Sequence, residues 1–441
     1  MKKIPAPFFA LLIFCVSAAS AQTDSTEKWS WHYQFTGVMQ GHAAFHAPYA
    51  GQNSLDSTAE QAFSVTSTFY FGRRLWTGGE LYFNPEIAGG KGISSALGIA
   101  GFTNGECFRI GDPSPALYVA RVFVRQQFGL GDEKEWLDAG ANQLAGWVPA
   151  KRITLTVGKV SLADIYDANS YSHDPRTQFM NWSLMSNGAW DYAANTRGYT
   201  WAGMAEWHTP VFSARYCFAM MPKVANGSVF DMNIGKANEE AIELEKSWGK
   251  DGSKTTVRVL GFYNMSHARS YQDAILQYHL GNDTTLDVNT QTTYGGKKYG
   301  FGINAETQLF NGKAGVFVRG GWNDGKTATW VFTEIDMNSQ VGIQLSGSLW
   351  KRSDDVFGLA SSVNEISKDH QDFLNTGGYG FIIGDGKLPD YAPEVILETY
   401  YSAQITDNFW LSADYQHVQN PAYNADRGPV NVWAVRGHVA F

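Results

Sequence analysis

Beyond its first 21 residues the chain has no stretch approaching the roughly 18 consecutive apolar residues that a helix needs to cross a bilayer, so passage through a membrane by helices is excluded. Cysteine is scarce too. Of three in all, Cys15 lies in the apolar start, and the remaining Cys107 and Cys217 are too few for a disulfide scaffold and read as free, small hydrophobes. There is no surplus of positive charge: 34 Lys and Arg face 42 Asp and Glu, a net −8, which argues against a nucleic-acid partner. Catalytic signatures are missing as well. The chain holds no His-Glu-x-x-His, no Gly-x-Ser-x-Gly, no P-loop and no Cys-x-x-Cys, so neither an enzyme nor a metal or other cofactor is expected. His267, His279 and His370 lack metal-ligand spacing and read as solvated loop residues.

What the chain does have is aromatic residues (14%), 46 glycines and a mildly polar mean hydropathy of −0.26. Alternating polar and apolar faces produce this average when strands separate lipid from a wet lumen. The basic Met1-Lys2-Lys3, the apolar Phe8 to Val16 and the small-x-small Ala19-Ser20-Ala21 predict a secretory leader over residues 1–21, leaving 22–441 as one mature domain.

The stretch Tyr118 to Phe128 carries the pattern most sharply. Ala120, Val122 and Val124 share one face, and Arg121, Phe123, Arg125 and Gln127 share the other, with Tyr118 and Phe128 at the ends. An Arg at the lipid midplane costs on the order of 2 to 4 kcal/mol, so the arginine face is the lumen. Alternation also marks Trp31 to His42, the strand from Phe63 to Phe71 running into a turn at Gly72-Arg73-Arg74, and the return from Leu75 to Glu86 with Glu80, Tyr82, Asn84 and Glu86 inward. Strands follow at Arg152–Lys159, Arg197–His208, Val211–Met221, Asn238–Trp248, Thr255–Ser266, Tyr299–Phe310, Lys313–Asn323, Ser339–Trp350, Asp355–Asn364, Pro393–Ile405, Asn408–Val418 and Pro429–Phe441. Counting the strand-like stretches Trp136–Leu144 and Thr327–Met337 in place of Asn238–Trp248 would make the count odd and put long loops on the turn side, so they are assigned to a long periplasmic connection, Gly129–Ala150, and to a loop, Asp324–Asn338.

The predicted fold is therefore all-β: a transmembrane antiparallel barrel of about sixteen strands in the bacterial outer membrane, with long extracellular loops partly folded into the pore. Its terminal Phe441, on the face of Trp433, Val435 and Val439, suits recognition by the barrel assembly machinery. Lipid and lipopolysaccharide are expected around it, and a homo-oligomer is an open possibility.

Such a barrel is too wide to be filled by strand side chains, so selectivity must come from inward residues and inserted loops. The expected wall residues are Arg121, Arg125, Phe123, Glu80, Asn84, Glu86 and Glu206. Guanidinium forks facing carboxylates make fixed dipoles for polar uncharged solutes, and Phe123 between them offers a stacking face. Two loops compete to narrow the bore: Val160–Asn195, with Asp164, His173, Asp174, Arg176, Trp182 and Trp190, and the Gly-rich Ile87–Ala116. Carboxylates, amides and aromatic rings together are what a sugar surface needs. Pairing among the same charges for stability alone is the competing reading.

Several runs resemble the carbohydrate-selective porin family of OprB type: Gly79 to Glu86, Ala120-Arg121, Arg125-Gln126, Val157-Gly158-Lys159 leading to Asp164, His173 to Phe179 with Asn181-Trp182, and Asp191-Tyr192-Ala193 with Thr196 to Trp201. So do Gly321 to Gly325, Leu397 to Tyr401, and Asn420 to Asn424 with Asp426 to Pro429. The resemblance covers the mature chain nearly end to end, with Cys107 and His208 as departures. It implies a sixteen-stranded barrel for passive diffusion of mono- and small oligosaccharides, without cofactor or energy coupling. It also marks Arg121, Arg125 and the Asp174 to Arg176 turn as constriction candidates.

Overall fold

The computed structural model describes residues 26–107 and 114–441; the predicted leader lies outside the described residues. Sixteen antiparallel strands close a barrel. In chain order these are β1 (Trp29–His42), β2 (Glu60–Trp76), β3 (Gly79–Gly90), β4 (Ala116–Gly129), β7 (Arg152–Val160), β8 (Thr200–Thr209), β9 (Phe212–Met220), β10 (Asn238–Trp248), β11 (Thr255–Ser266), β12 (Gly296–Leu309), β13 (Ala314–Asn323), β14 (Met337–Ser346), β15 (Val356–Glu365), β16 (Glu394–Thr406), β17 (Phe409–Gln419) and β18 (Val430–Ala440). Closure comes from β1 on β18, with Gln34 opposite Ala440 and His42 opposite Val432. Between β4 and β7 stands a separate ribbon of β5 (Lys134–Leu137) on β6 (Gly146–Pro149).

Closing the sheet leaves no edge strand, so backbone groups pair from strand to strand around the whole barrel. Alternation then sorts the side chains. On β18, Asn431, Trp433 and Val435 are exposed while Val432, Ala434, Arg436 and His438 are buried. Exposed aromatic residues band both rims, with Trp29, Trp76, Trp207, Trp248 and Phe310 at the end that carries the short turns, and Phe63, Trp201, Tyr299 and Trp433 towards the other. Rings with an apolar body and a polar edge sit best at the two interfaces.

Four expectations change in detail. Strand β2 runs through Gly72-Arg73-Arg74, because Arg73 pairs with both Trp29 and Leu81; the turn is Thr77-Gly78, where Gly78 takes the φ of +72° it demands. Strand β4 carries a bulge: Asn84 faces Arg121 and Pro85 faces Val119, so Ala120 is skipped. Pro85 has no N–H to donate, and the ladder breaks where that bond is missing. The extra residue flips the phase, and Tyr118 joins Arg121 and Phe123 on the inside. The connection after β4 holds the β5–β6 ribbon rather than plain loop. Last, two of the three histidines differ from the solvated reading: His267 is buried 2.7 Å from Asp231, and His370 is buried 3.1 Å from Asp336 and stacked on Tyr271, whereas His279 is exposed.

The core is not between layers but inside the bore, where the loops pack. Helix α1 (Trp182–Met185) lies in the 161–199 loop, while α2 (Tyr271–His279) and α3 (Lys368–Asn375) sit over the loop end. Wall carboxylates grip the loop backbone. Glu243 accepts from Asp167 N (2.6 Å), Glu306 from Ser170 N (2.6 Å), Glu398 from Asn181 N (3.0 Å) and Glu394 from Gly101 N (2.8 Å). A loop threaded through a barrel has amides with no strand to meet, and the carboxyl oxygens of the wall take those donors instead.

Candidate functional site

A cavity of about 600 Å³ remains between the inserted loops and the wall. Strand β4 supplies Tyr118, Arg121, Phe123 and Arg125; β3 supplies Glu86; the loop 161–199 supplies Asp164, His173, Asp174, Arg176, Trp182 and Tyr199; the loop 91–115 supplies Glu106. From the turn end come Ala141, Asn142 and Gln143.

The charges are held in pairs. Arg121 clasps Asp164 bidentately, Nε to Oδ2 at 2.6 Å and Nη2 to Oδ1 at 2.7 Å, with its plane 5.0 Å from the Tyr199 ring centre. Arg176 reaches from the loop to two carboxylates, Glu106 at 2.8 Å and Glu86 at 3.3 Å, and donates to the Tyr70 hydroxyl at 3.2 Å. Glu86 is the hub, accepting also from Thr68 (2.6 Å), Tyr199 (3.0 Å) and Tyr118. Arg125 lies 3.9 Å from Glu80, donates to the Asn142 carbonyl at 3.1 Å and lies over the stacked Tyr82 and Phe123 rings. Burial pushes the Glu106 carboxyl up against the pull of Arg176. For Asp174 the balance goes the other way: burial would raise it, but Arg176 and its backbone N–H hold the carboxyl below the usual range. Burial favours the neutral imidazole of His173.

Of the residues expected at the site, Arg121, Phe123, Arg125, Glu86, Asp174, Arg176 and Trp182 border this cavity together. Trp182 is fixed there by its indole N–H on the Asn104 carbonyl (3.1 Å) and by Phe102. Glu80 is buried behind it, bound to the Tyr82 hydroxyl (2.8 Å) and Arg74 (3.3 Å). Asn84 is likewise buried off the cavity. Glu206 is not brought to Arg121 at all; it pairs with Arg215 in a wall ladder that continues through Glu243, Glu245, Arg258 and Glu306. Sequence reasoning missed Tyr118, hidden by the bulge that Pro85 signals, and Tyr199 and Arg197, whose guanidinium covers the Tyr118 ring at 4.0 Å. It also missed Phe332, placed at the cavity because Asp191 accepts the backbone N–H groups of Trp330, Val331 and Phe332 at 2.8, 2.7 and 3.1 Å.

A sixteen-stranded barrel with aromatic rims and loops narrowing a polar bore is an outer-membrane porin. Residues 53–441 match the family model described as carbohydrate-selective porin, OprB family, and the chain belongs to that family. Solved structures share the fold. The high-pH structure of Pseudomonas putida OprB aligns over 94% of each chain with TM-score 0.70 and 14% identity. Its low-pH structure aligns over 94% of this chain and 93% of that one (0.51, 11%), and the outer-membrane channel DcaP of Acinetobacter baumannii over 94% and 97% (0.52, 8%). No curated protein matches the chain.

Proposed function

We propose that the channel passes small neutral carbohydrates, mono- and short oligosaccharides, into the periplasm by passive diffusion, with no catalysis. One observation carries the reading. Among the described residues bordering the cavity, Arg121, Arg125, Arg176 and Arg197 are matched by Glu86, Glu106, Asp164 and Asp174, so formal charge cancels while donors, acceptors and the faces of Phe123, Tyr199 and Trp182 remain. A passage built to sort ions would carry a surplus of one sign. Hydroxyl-rich solutes exchange hydrogen bonds with paired dipoles and rest their C–H faces on rings. The family membership supports the same solute class. The exposed terminal Phe441 suits recognition during assembly, and lipopolysaccharide and a second or third copy of the chain are the proposed neighbours in the membrane.

Liposome swelling tests the reading: glucose and disaccharides are expected to enter faster than amino acids of equal radius, and a sugar is expected to depress ion current. Rates that follow radius alone, with no block of current, would remove the selectivity. Substitution separates the two wall arginines. Arg121→Ala leaves Asp164 unpaired and should slow sugar entry severalfold while tilting ion selectivity towards cations; Arg125→Ala should act more weakly, since its nearest carboxylate is 3.9 Å away. Reversal potentials and swelling rates check both, and unaltered transport in both variants would assign the pair to wall stability.

A further inference from the structure

We propose that the segment Asp138–Leu144 is a second constriction, a fixed sill that enters the bore from the turn end and bounds the solute compartment from below. The connection between β4 and β7 is the observation that prompts it. Its counterpart between β2 and β3 at the same end is only Thr77-Gly78, which shows how little chain the join requires. Instead, this connection builds the β5–β6 ribbon and returns its tip to the cavity bordered by Asp164 and Arg176. Keeping so many extra residues ordered costs conformational entropy, so the anchors must repay it.

The anchors are specific. At the base, Glu135 pairs with Arg152 at 2.6 Å and lies 3.5 Å from His208. Behind the tip, Ala145 accepts from Glu27 N (2.9 Å) and donates to the Glu27 carboxylate (2.8 Å), while Leu144 is buried and donates its N–H to the Tyr82 hydroxyl (3.2 Å). The tip closes on itself: Gly140 and Gln143 exchange backbone hydrogen bonds, both 3.0 Å, and Asn142 takes the left-handed φ of +59° that asparagine tolerates. Its carbonyl then holds Arg125 at 3.1 Å. One guanidinium is thus shared between wall and sill. Ala141, Asn142 and Gln143 bring no charge, so the lower mouth offers amides and a carbonyl where the middle of the cavity offers ion pairs. A solute leaving the paired charges meets weaker, neutral partners, which favours release over retention.

The test is Ala141→Cys, an exposed position in the tip. The native Cys107 and Cys217 are buried, and burial pushes the Cys107 thiol up, so both resist labelling. In planar bilayers in potassium chloride, a bulky methanethiosulfonate is expected to lower the current of the Cys variant by roughly twofold or more, reversibly with dithiothreitol. The same reagent on Asp132→Cys, exposed at the base of the ribbon, should leave current intact. Complete labelling at position 141 confirmed by mass spectrometry with unchanged current, or equal block at both positions, would overturn the proposal. As a second arm, deletion of Ala141 and Asn142 should raise conductance in a barrel that keeps its heat-modifiable mobility; parental conductance in that barrel would count equally against the sill. Because ion current is the readout, these outcomes stand apart from whether the solute is a sugar.

Discussion

A channel carrying Arg319→Met is expected to pass several times the parental ion current and to lose discrimination between mono- and disaccharides while its barrel still forms. Arg319 stands on β13 and its side chain is wholly buried. It gives hydrogen bonds to the Asp167 carboxylate (3.1 Å) and carbonyl (3.2 Å), the Leu184 carbonyl (2.7 Å), the Ser172 carbonyl (2.9 Å) and Gln340 (2.9 Å). Three of these partners are separate points on the 161–199 loop. Methionine fills the stem's volume but leaves the Asp167 carboxylate without its counter-charge and the Ser172 carbonyl without its guanidinium donor, and breaking one side of a buried ion pair costs about 3 to 5 kcal/mol. Strand β13 keeps its backbone ladders to β12 and β14, so the cost falls on the loop. Glu243 and Glu306 still hold Asp167 N and Ser170 N, so the loop should loosen rather than leave. Single-channel recording with swelling assays reads the change; parental conductance with intact sugar discrimination would refute it.

The second large effect is expected at Arg176. Among the described residues its guanidinium is the ion-pair partner of Glu106 (2.8 Å) and of Glu86 (3.3 Å), and both carboxylate side chains are buried. Arg176→Ala should therefore turn the channel cation-selective and destabilise the loop, again by about 3 to 5 kcal/mol, since two desolvated acids lose their counter-charge. Arg176→Lys should rescue little, because a point ammonium cannot span two carboxylates and the Tyr70 hydroxyl as a planar fork does. Combining Arg176→Ala with Glu106→Gln separates charge from width: ion selectivity should return towards the parent while conductance stays high. Reversal potentials under a salt gradient measure the first and unitary currents the second. A single variant with unshifted reversal potential would mean that the carboxylates take up protons instead.

How much of this was readable beforehand follows from the physics of each feature. The register of β10, Asn238–Trp248, was legible because Glu239, Glu243 and Glu245 cannot all face lipid, and an in-phase charge fixes the face. Arg121 and Arg125 were legible for the same reason. Tyr118 was not, since a bulge changes the period by one residue and leaves only an unexplained Pro85 as its trace. Glu206 was assigned to the site by its inward face, but being inward says nothing of height or azimuth in a wide barrel, and Arg215 opposite it takes the charge. Of the 161–199 loop, the residue types were a fair guide and the roles were not. Asp164 and Arg176 point to the cavity, whereas Asp167 and Asp191 spend their carboxylates on Arg319 and on loop amides.

The sequence by itself determined that this chain crosses its membrane with strands, how many there are, and which face of each is wet wherever the period of two runs unbroken. Those properties are local: a period of two and the cost of charge in lipid act on every residue without reference to distant ones. Only the tertiary structure decided which charges meet, that Arg121 closes on Asp164 and Arg176 on Glu86 and Glu106, and that segments from both ends of the barrel border one cavity. Those pairings join residues far apart in the chain, selected by which carboxylate lies within reach once loops have entered a closed barrel, and no periodicity encodes that distance.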